Sequence, residues 1–117
     1  FSLVELMITI AIIGVISAIA IPIFTDYVDN ASEGVMRTNI ETIRLFQEEH
    51  RLAEGSYVAG TYDPANPDAA GGLKRMLGWE PKTSEDKITY VVDNVSRTGF
   101  RAVATDAEGK TVTVTYP

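Results

Sequence analysis

Phe1-Ser-Leu-Val-Glu5-Leu-Met-Ile-Thr-Ile-Ala-Ile-Ile-Gly14-Val-Ile-Ser-Ala-Ile-Ala-Ile-Pro22-Ile-Phe24 is apolar almost throughout, and its only charged side chain is Glu5. A run of roughly 20 apolar residues, at about 1.5 Å rise each, spans a hydrocarbon core about 30 Å thick. The stretch therefore predicts one helix able to cross a bilayer. A carboxylate in such a segment costs roughly 2.5–3.5 kcal/mol on insertion scales, so Glu5 marks a function. The nearest positive partner in the sequence is the amine of Phe1.

Working outward, the chain has 117 residues, and about 90 follow Phe24. That remainder suits one small domain. The chain opens on Phe rather than Met, the opening expected when a preceding segment has been removed or the sequence has been cut there. The apolar run exceeds the 7–15 residues or so of a cleaved signal's apolar region. No Lys or Arg precedes it, and Asp26 and Asp29 follow it, which predicts that the bulk of the chain lies outside the cytoplasm. A net charge of −6 argues against general nucleic-acid binding. There is no cysteine, so thiolate metal sites, thiol nucleophiles and disulfides are excluded.

Between Phe24 and Glu54 there is no proline, and Gly34 is the one glycine. Met36, Ile40, Ile43, Phe46, His50 and Ala53 recur at three- and four-residue spacing and predict one apolar stripe. Asp29, Glu33, Arg37, Glu41, Arg44 and Glu48 lie across from it, with Glu33–Arg37 and Glu41–Arg44 spaced for ion pairs. Helix 25–54 thus continues helix 1–24, and Gly55 is placed to end it. Residues 55–87 read as a loop, with a short helix over Leu73–Leu77 stopped by Gly78 and with Trp79 covering one end of the core. Residues 88–117 read as an antiparallel meander of three strands: Ile88, Tyr90 and Val92; Phe100, Ala102 and Ala104; Val112, Val114 and Tyr116 point to one face. Asn94–Gly99 and Asp106–Gly109 are the turns. The fold class is α+β, a long helix packed on an antiparallel sheet of three to four strands.

The run Phe1-Ser-Leu-Val-Glu5-Leu-Met, followed by Ala11 to Pro22, closely resembles the mature N-terminus of type IV pilins and the related pseudopilins. Ser2 and Val4 are mild variants of the usual pattern, and the motif covers about a fifth of the chain. The resemblance implies a prepilin peptidase that cuts before Phe1 and methylates its amine. It implies an inner-membrane precursor and then a homopolymeric helical filament outside the cell, built by a pilus assembly machinery and serving adhesion, motility or DNA uptake. In that filament Glu5 pairs with the Phe1 amine of a neighbouring subunit, and the segment from Gly14 to Pro22 loses helicity. A plain kink at Pro22 is the structural alternative. Two other functional readings stand beside it: a major pseudopilin of a type II secretion system, and a single-span membrane-anchored binding protein.

The remaining candidates read more simply as structure. His50 sits beside Phe46 on the apolar stripe, where a packed or hydrogen-bonded role is expected, and no serine–acid–histidine set can be argued from position. The chain is therefore not expected to be an enzyme. Asp63, Asn66 and Asp68 could offer oxygen ligands to calcium, as loops of some pseudopilins do, but their spacing fits no calcium-loop template and Pro64 and Pro67 mark turns. No cofactor is expected. The aromatics Phe1, Phe24, Tyr27, Phe46 and Tyr57 are assigned to core packing.

Overall fold

The computed structural model describes residues 1–82 and 87–117. Residues 83–86, at the end of the expected 55–87 loop, lie outside the described residues. The elements are α1 (Leu3–Glu54), β1 (Gly60–Tyr62), α2 (Leu73–Leu77), β2 (Thr89–Asp93), β3 (Phe100–Thr105) and β4 (Thr111–Tyr116). The chain divides into two units, Phe1–Ser32 and Glu33–Pro117.

The first unit is helix from Leu3 onward, with its apolar side chains exposed all round. Helix assignment runs through Pro22 without a break. Leu3–Glu54 carries a window apolar enough to cross a membrane, and none of that window is buried inside the structure. Phe1, Phe24 and Tyr27 belong to this exposed surface, which corrects their assignment to core packing. A free-standing helix that is apolar on every side has no core to bury them in; such a surface belongs to a membrane span or to the inside of a larger assembly.

The second unit is a four-stranded antiparallel sheet in the order β1-β2-β3-β4, with the second half of α1 on one face. The expected meander is present, with continuous registers from Thr89↔Thr105 to Asp93↔Arg101 and from Phe100↔Tyr116 to Thr105↔Thr111. A fourth strand, β1, adds Gly60–Tyr62 to the edge of β2. It lies inside the stretch expected to be loop. Three residues between turn signals are too short to show a period-two pattern. Burial alternates as expected: Tyr90, Val92, Phe100, Ala102, Ala104 and Val112 are buried, while Val114 and Tyr116 pack against the core in part.

The helix stripe differs from expectation at its lower end. Met36, Asn39, Ile40, Ile43 and Gln47 are the buried residues of α1. Phe46 stays 36% exposed and Ala53 is exposed. The steps 36–40–43–47 keep pace with a 3.6-residue turn, so the stripe passes through Gln47, and Phe46 falls about 100° to one side. The apolar bias of the sequence reading skipped the two polar members. Both are satisfied: Asn39 Nδ2 donates to the Tyr90 hydroxyl at 2.7 Å, and Gln47 bonds Val58.

Trp79 covers one end of the core, 1% exposed, as expected. Its ring meets Tyr62 and Tyr90 edge-on, with centroids 5.6 and 5.0 Å away. Its indole N–H donates to Thr42 Oγ1 at 2.8 Å, and that hydroxyl donates to the Asn39 carbonyl at 2.7 Å. A polar chain thus runs beside the aromatic cluster and satisfies every group it buries. His50 has the hydrogen-bonded role expected of it, with Nδ1 2.8 Å from the Ser56 carbonyl. Gly55 ends α1 in the left-handed conformation, φ 86°, which a side chain would strain.

Candidate assembly surface

The N-terminal end of α1 is closed by its own side chains. Ser2 N–H donates to Glu5 Oε2 at 2.8 Å, and Glu5 N–H donates to Ser2 Oγ at 3.2 Å. This is a reciprocal capping box, in which the residue before the helix and the third helical residue each satisfy a free amide of the other. One turn on, Thr9 Oγ1 donates to the Glu5 carbonyl at 2.8 Å. Ser2, Glu5 and Thr9 thus form a polar strip on an otherwise apolar cylinder.

The two residues expected to set register, Phe1 and Glu5, lie four positions apart in sequence and are not joined to each other within the chain. Among the described residues, Phe1 makes no ion pair within its own chain, and the Glu5 bond that forms goes to Ser2. The Ser2-x-x-Glu5 spacing carries this cap in plain sight, and the sequence reading missed it by treating Glu5 only as a charge.

Gly14 and Pro22 both lie within α1, in its exposed first unit. A Cβ built on Gly14 meets nothing within 4 Å, so local crowding does not account for glycine there. Pro22 brings no N–H to the ladder, which leaves the carbonyl four residues earlier short of its helical partner. Three residues on, Thr25 Oγ1 donates to the Ile21 carbonyl at 3.0 Å. Beside Pro22, Ile16, Ile19, Ala20, Ile23, Phe24 and Tyr27 share one exposed apolar face of the helix.

Within the second unit, the second half of α1 holds Tyr57 and Tyr116 by a repeated polar device. Tyr116 OH donates to Glu41 Oε1 at 3.0 Å while the Arg44 guanidinium lies 5.0 Å over the same ring. Tyr57 OH donates to Glu48 Oε1 at 2.8 Å while Arg51 lies 5.3 Å over that ring. Glu41-x-x-Arg44 and Glu48-x-x-Arg51 are the same clamp one heptad apart. Burial pushes the Tyr116 phenol up to about 12, helped by its bond to Glu41. The bond to Glu48, with burial second, raises Tyr57. A further tie joins Glu33 to Arg37 at 3.0 Å and to Lys110, beside the β3–β4 turn, at 3.6 Å. The Arg37 hydrogen bond, first among its causes, holds the Glu33 carboxyl below its ordinary value.

In the loop, Asp63 Oδ1 accepts the Ala65 N–H at 2.9 Å, and Asp68 pairs with Lys74 at 3.1 Å. Lys74 also reaches Glu80 at 3.4 Å. Asp63 and Asn66, without Asp68, line a cleft of about 320 Å³ with Gly60, Thr61 and Gly72. The acidic side chains are thus drawn to different partners. No group of three or more His, Asp or Glu side chains suited to a metal ion occurs among the described residues.

A long helix, apolar through its first half and amphipathic through its second, carrying a small antiparallel sheet, defines a pilin-type subunit. Comparison with known proteins agrees. The chain is 54% identical over 117 aligned positions to a type IV major fimbrial protein FimA of Dichelobacter nodosus, covering 79% of this chain and 73% of that protein. It is 34% identical over 108 positions to a fimbrial protein of Moraxella nonliquefaciens, covering 75% and 70%. A third relative, also a FimA of Dichelobacter nodosus, is 36% identical over 90 positions, covering 62% and 58%. The chain spans between 58% and 73% of the length of these relatives. No protein-family model and no solved structure matches it. The chain belongs to the type IV pilin family, the fimbrial proteins.

Proposed function

We propose that this chain is the repeating structural subunit of a type IV pilus, held in the inner membrane by Leu3–Phe24 and then packed by that same surface into an extracellular homopolymer. The observation that carries the reading is the exposure of the whole apolar run on a helix whose first turn contains a carboxylate. A lipid anchor gains nothing from Glu5, whereas a bundle of such helices can use it. In a dry core an unpaired carboxylate is costly, and the Phe1 amine of a neighbour is the complementary charge. Glu5 Oε2 is held by Ser2, which fixes the carboxylate's direction and leaves its other oxygen for that amine. Processing by a prepilin peptidase and methylation of Phe1 fit the same reading. So does loss of helicity between Gly14 and Pro22, where glycine propensity and a missing N–H both weaken the helix. The role is structural rather than enzymatic. The 63–68 loop acts as a series of turns rather than a calcium site, since Asp68 is committed to Lys74.

The test is cryo-electron microscopy of filaments sheared from cells, with mass spectrometry of the N-terminal peptide. A filament of this chain, with methylated Phe1 beside a neighbour's Glu5 and broken helix density before Pro22, is expected. Glu5→Leu should leave membrane insertion intact and reduce piliation. Recovery of the chain only from the inner membrane, beside a secretion apparatus, would move the reading to a pseudopilus.

A further inference from the structure

The second half of α1 keeps an apolar face that the sheet does not cover. Val35, Thr38, Thr42, Leu45, Glu49 and Leu52 follow in alternating steps of three and four residues, on the side of the helix away from Ile40 and Gln47. Thr42 is half-buried and the others are exposed. Leu45 is 67% exposed and Leu52 87%, more than any other large apolar side chain among the described residues of the second unit. The two threonines show this face little polarity, because their hydroxyls donate back to the Gly34 and Asn39 carbonyls at 2.9 and 2.7 Å. Apolar residues at this spacing form a seam along which one helix packs lengthwise on another. The same steps lead back through Ala31 and Val28 to Phe24, so the seam is continuous in sequence with the apolar run.

We propose that this seam packs in parallel against the same seam of neighbouring copies of this chain, and that Glu49 sets its register, offset by one heptad, with Leu52 beside a neighbour's Leu45. The proposal rests on the filament reading, which supplies identical helices running the same way. With no offset, Glu49 would meet Glu49 inside the contact, two like charges where water is excluded. The one-heptad offset sets Glu49 beside Thr42, Leu52 beside Leu45 and Leu45 beside Thr38. An offset of two heptads loses the leucine pair and sets Leu52 beside Thr38.

The other charges near the seam are already matched. Glu41 and Glu48 stand on one flank, and each pairs with an arginine of its own helix, Arg44 at 3.6 Å and Arg51 at 3.8 Å, besides its tyrosine. The other flank carries Asn39, Phe46 and Ala53, none of them charged. Glu49 is the one charged side chain in the seam itself. An in-register pair closes on itself, whereas an offset contact repeated from copy to copy stays open and adds subunits. A carboxylate that penalises the first therefore favours growth over dimerisation.

The chain has no cysteine, so introduced ones report single contacts. Filaments of the full-length chain carrying Leu45→Cys and Leu52→Cys together, sheared from cells and oxidised, should run as a ladder of multimers on a non-reducing gel. Either substitution alone should leave monomer. Glu49→Leu added to Leu45→Cys should give disulfide-linked dimer in the detergent-solubilised chain, since in-register pairing is no longer opposed. Leu45→Lys with Leu52→Lys should abolish filaments while the circular dichroism of the solubilised chain stays that of the wild type. Filaments that form without a ladder, dimer from Leu45→Cys alone, or normal filaments from the double lysine variant would overturn the proposal and leave the filament reading standing. A wild-type chain that forms no filament would remove both.

Discussion

The side chain of Gln47 holds both backbone groups of Val58, accepting its N–H at 2.9 Å and donating to its carbonyl at 2.6 Å. Gln47 itself is fully buried. An amide side chain here replaces a neighbouring strand and fixes where the chain leaves α1 for β1. Gln47→Ala removes both bonds and should cost about 1–3 kcal/mol, the range for stranding polar groups on folding. Gln47→Leu should do no better, although it adds apolar volume. Urea unfolding followed by Trp79 fluorescence reads this out, and an unchanged midpoint for Gln47→Ala would refute the role.

The tyrosine clamps predict an alkaline limit. Tyr57, Tyr62 and Tyr116 are all raised above the ordinary phenol value of 10.0, Tyr116 to about 12. A phenol raised on folding stays neutral where the unfolded chain ionises. Its contribution is full below pH 10 and is lost as pH climbs through the folded value. The domain should therefore lose stability between about pH 10 and 12. Tyrosinate absorbance should show a late component that coincides with loss of ellipticity. A single smooth titration centred on 10, with the fold intact, is the contrary result.

At the acid end the sign reverses. Glu33 is held below 4.5, chiefly by its hydrogen bond to Arg37, and Asp93 below 3.8, chiefly by its bond to Arg101. Carboxylates depressed on folding contribute above their unfolded values, and that contribution fades as pH falls through the folded ones. Arg101 grips Asp93 through two bonds of 2.7 and 2.6 Å on the sheet's outer face, where solvent screening keeps the effect small. Asp93→Asn should flatten the stability profile below pH 3.8 and leave it unchanged at neutrality, apart from a uniform offset. Denaturant titrations across pH 2–7 measure both slopes. Identical slopes in the two proteins would remove the pair from the account.

The cap at Ser2 predicts a graded series. Ser2→Ala loses the hydroxyl that receives the Glu5 N–H, at a cost of about 0.5–2 kcal/mol to the helix end. Ser2→Thr should retain it. Amide exchange over residues 3–6, in micelles or bilayers, should quicken for Ser2→Ala and not for Ser2→Thr. Equal protection in all three would mean that the capping box contributes nothing to the helix end.

The parts of this fold that the sequence makes legible are the strongly periodic ones. Ile88, Tyr90 and Val92 alternate, and they are buried. Leu73–Leu77 ends at Gly78, in the left-handed conformation. Phe1 to Glu5 carries a family motif that no propensity argument replaces. What stayed hidden has a physical reason in each case. Asn39 and Gln47 are buried because specific partners, the Tyr90 hydroxyl and the Val58 backbone, wait 51 and 11 residues away. An apolar template cannot anticipate such pairs. β1 is a strand because β2 lies beside it, not because Gly60-Thr-Tyr favours extension. Glu41 and Glu48 look like solvated charges until the two tyrosines are placed.

Those two clamps set limits on how the length of α1 can vary. They sit seven residues apart, close to two full turns, so Glu41–Arg44 and Glu48–Arg51 face the same flank. One residue inserted between Arg44 and Gln47 would turn everything after it by about 100° and carry the Tyr57 clamp away from its ring. The Tyr116 clamp would stay put. Seven inserted residues would restore the facing but displace the second clamp by about 10 Å along the axis, out of Tyr57's reach. Within this half of α1, then, the chain can exchange residues far more freely than it can gain or lose them. Length changes belong in the turns between β2, β3 and β4.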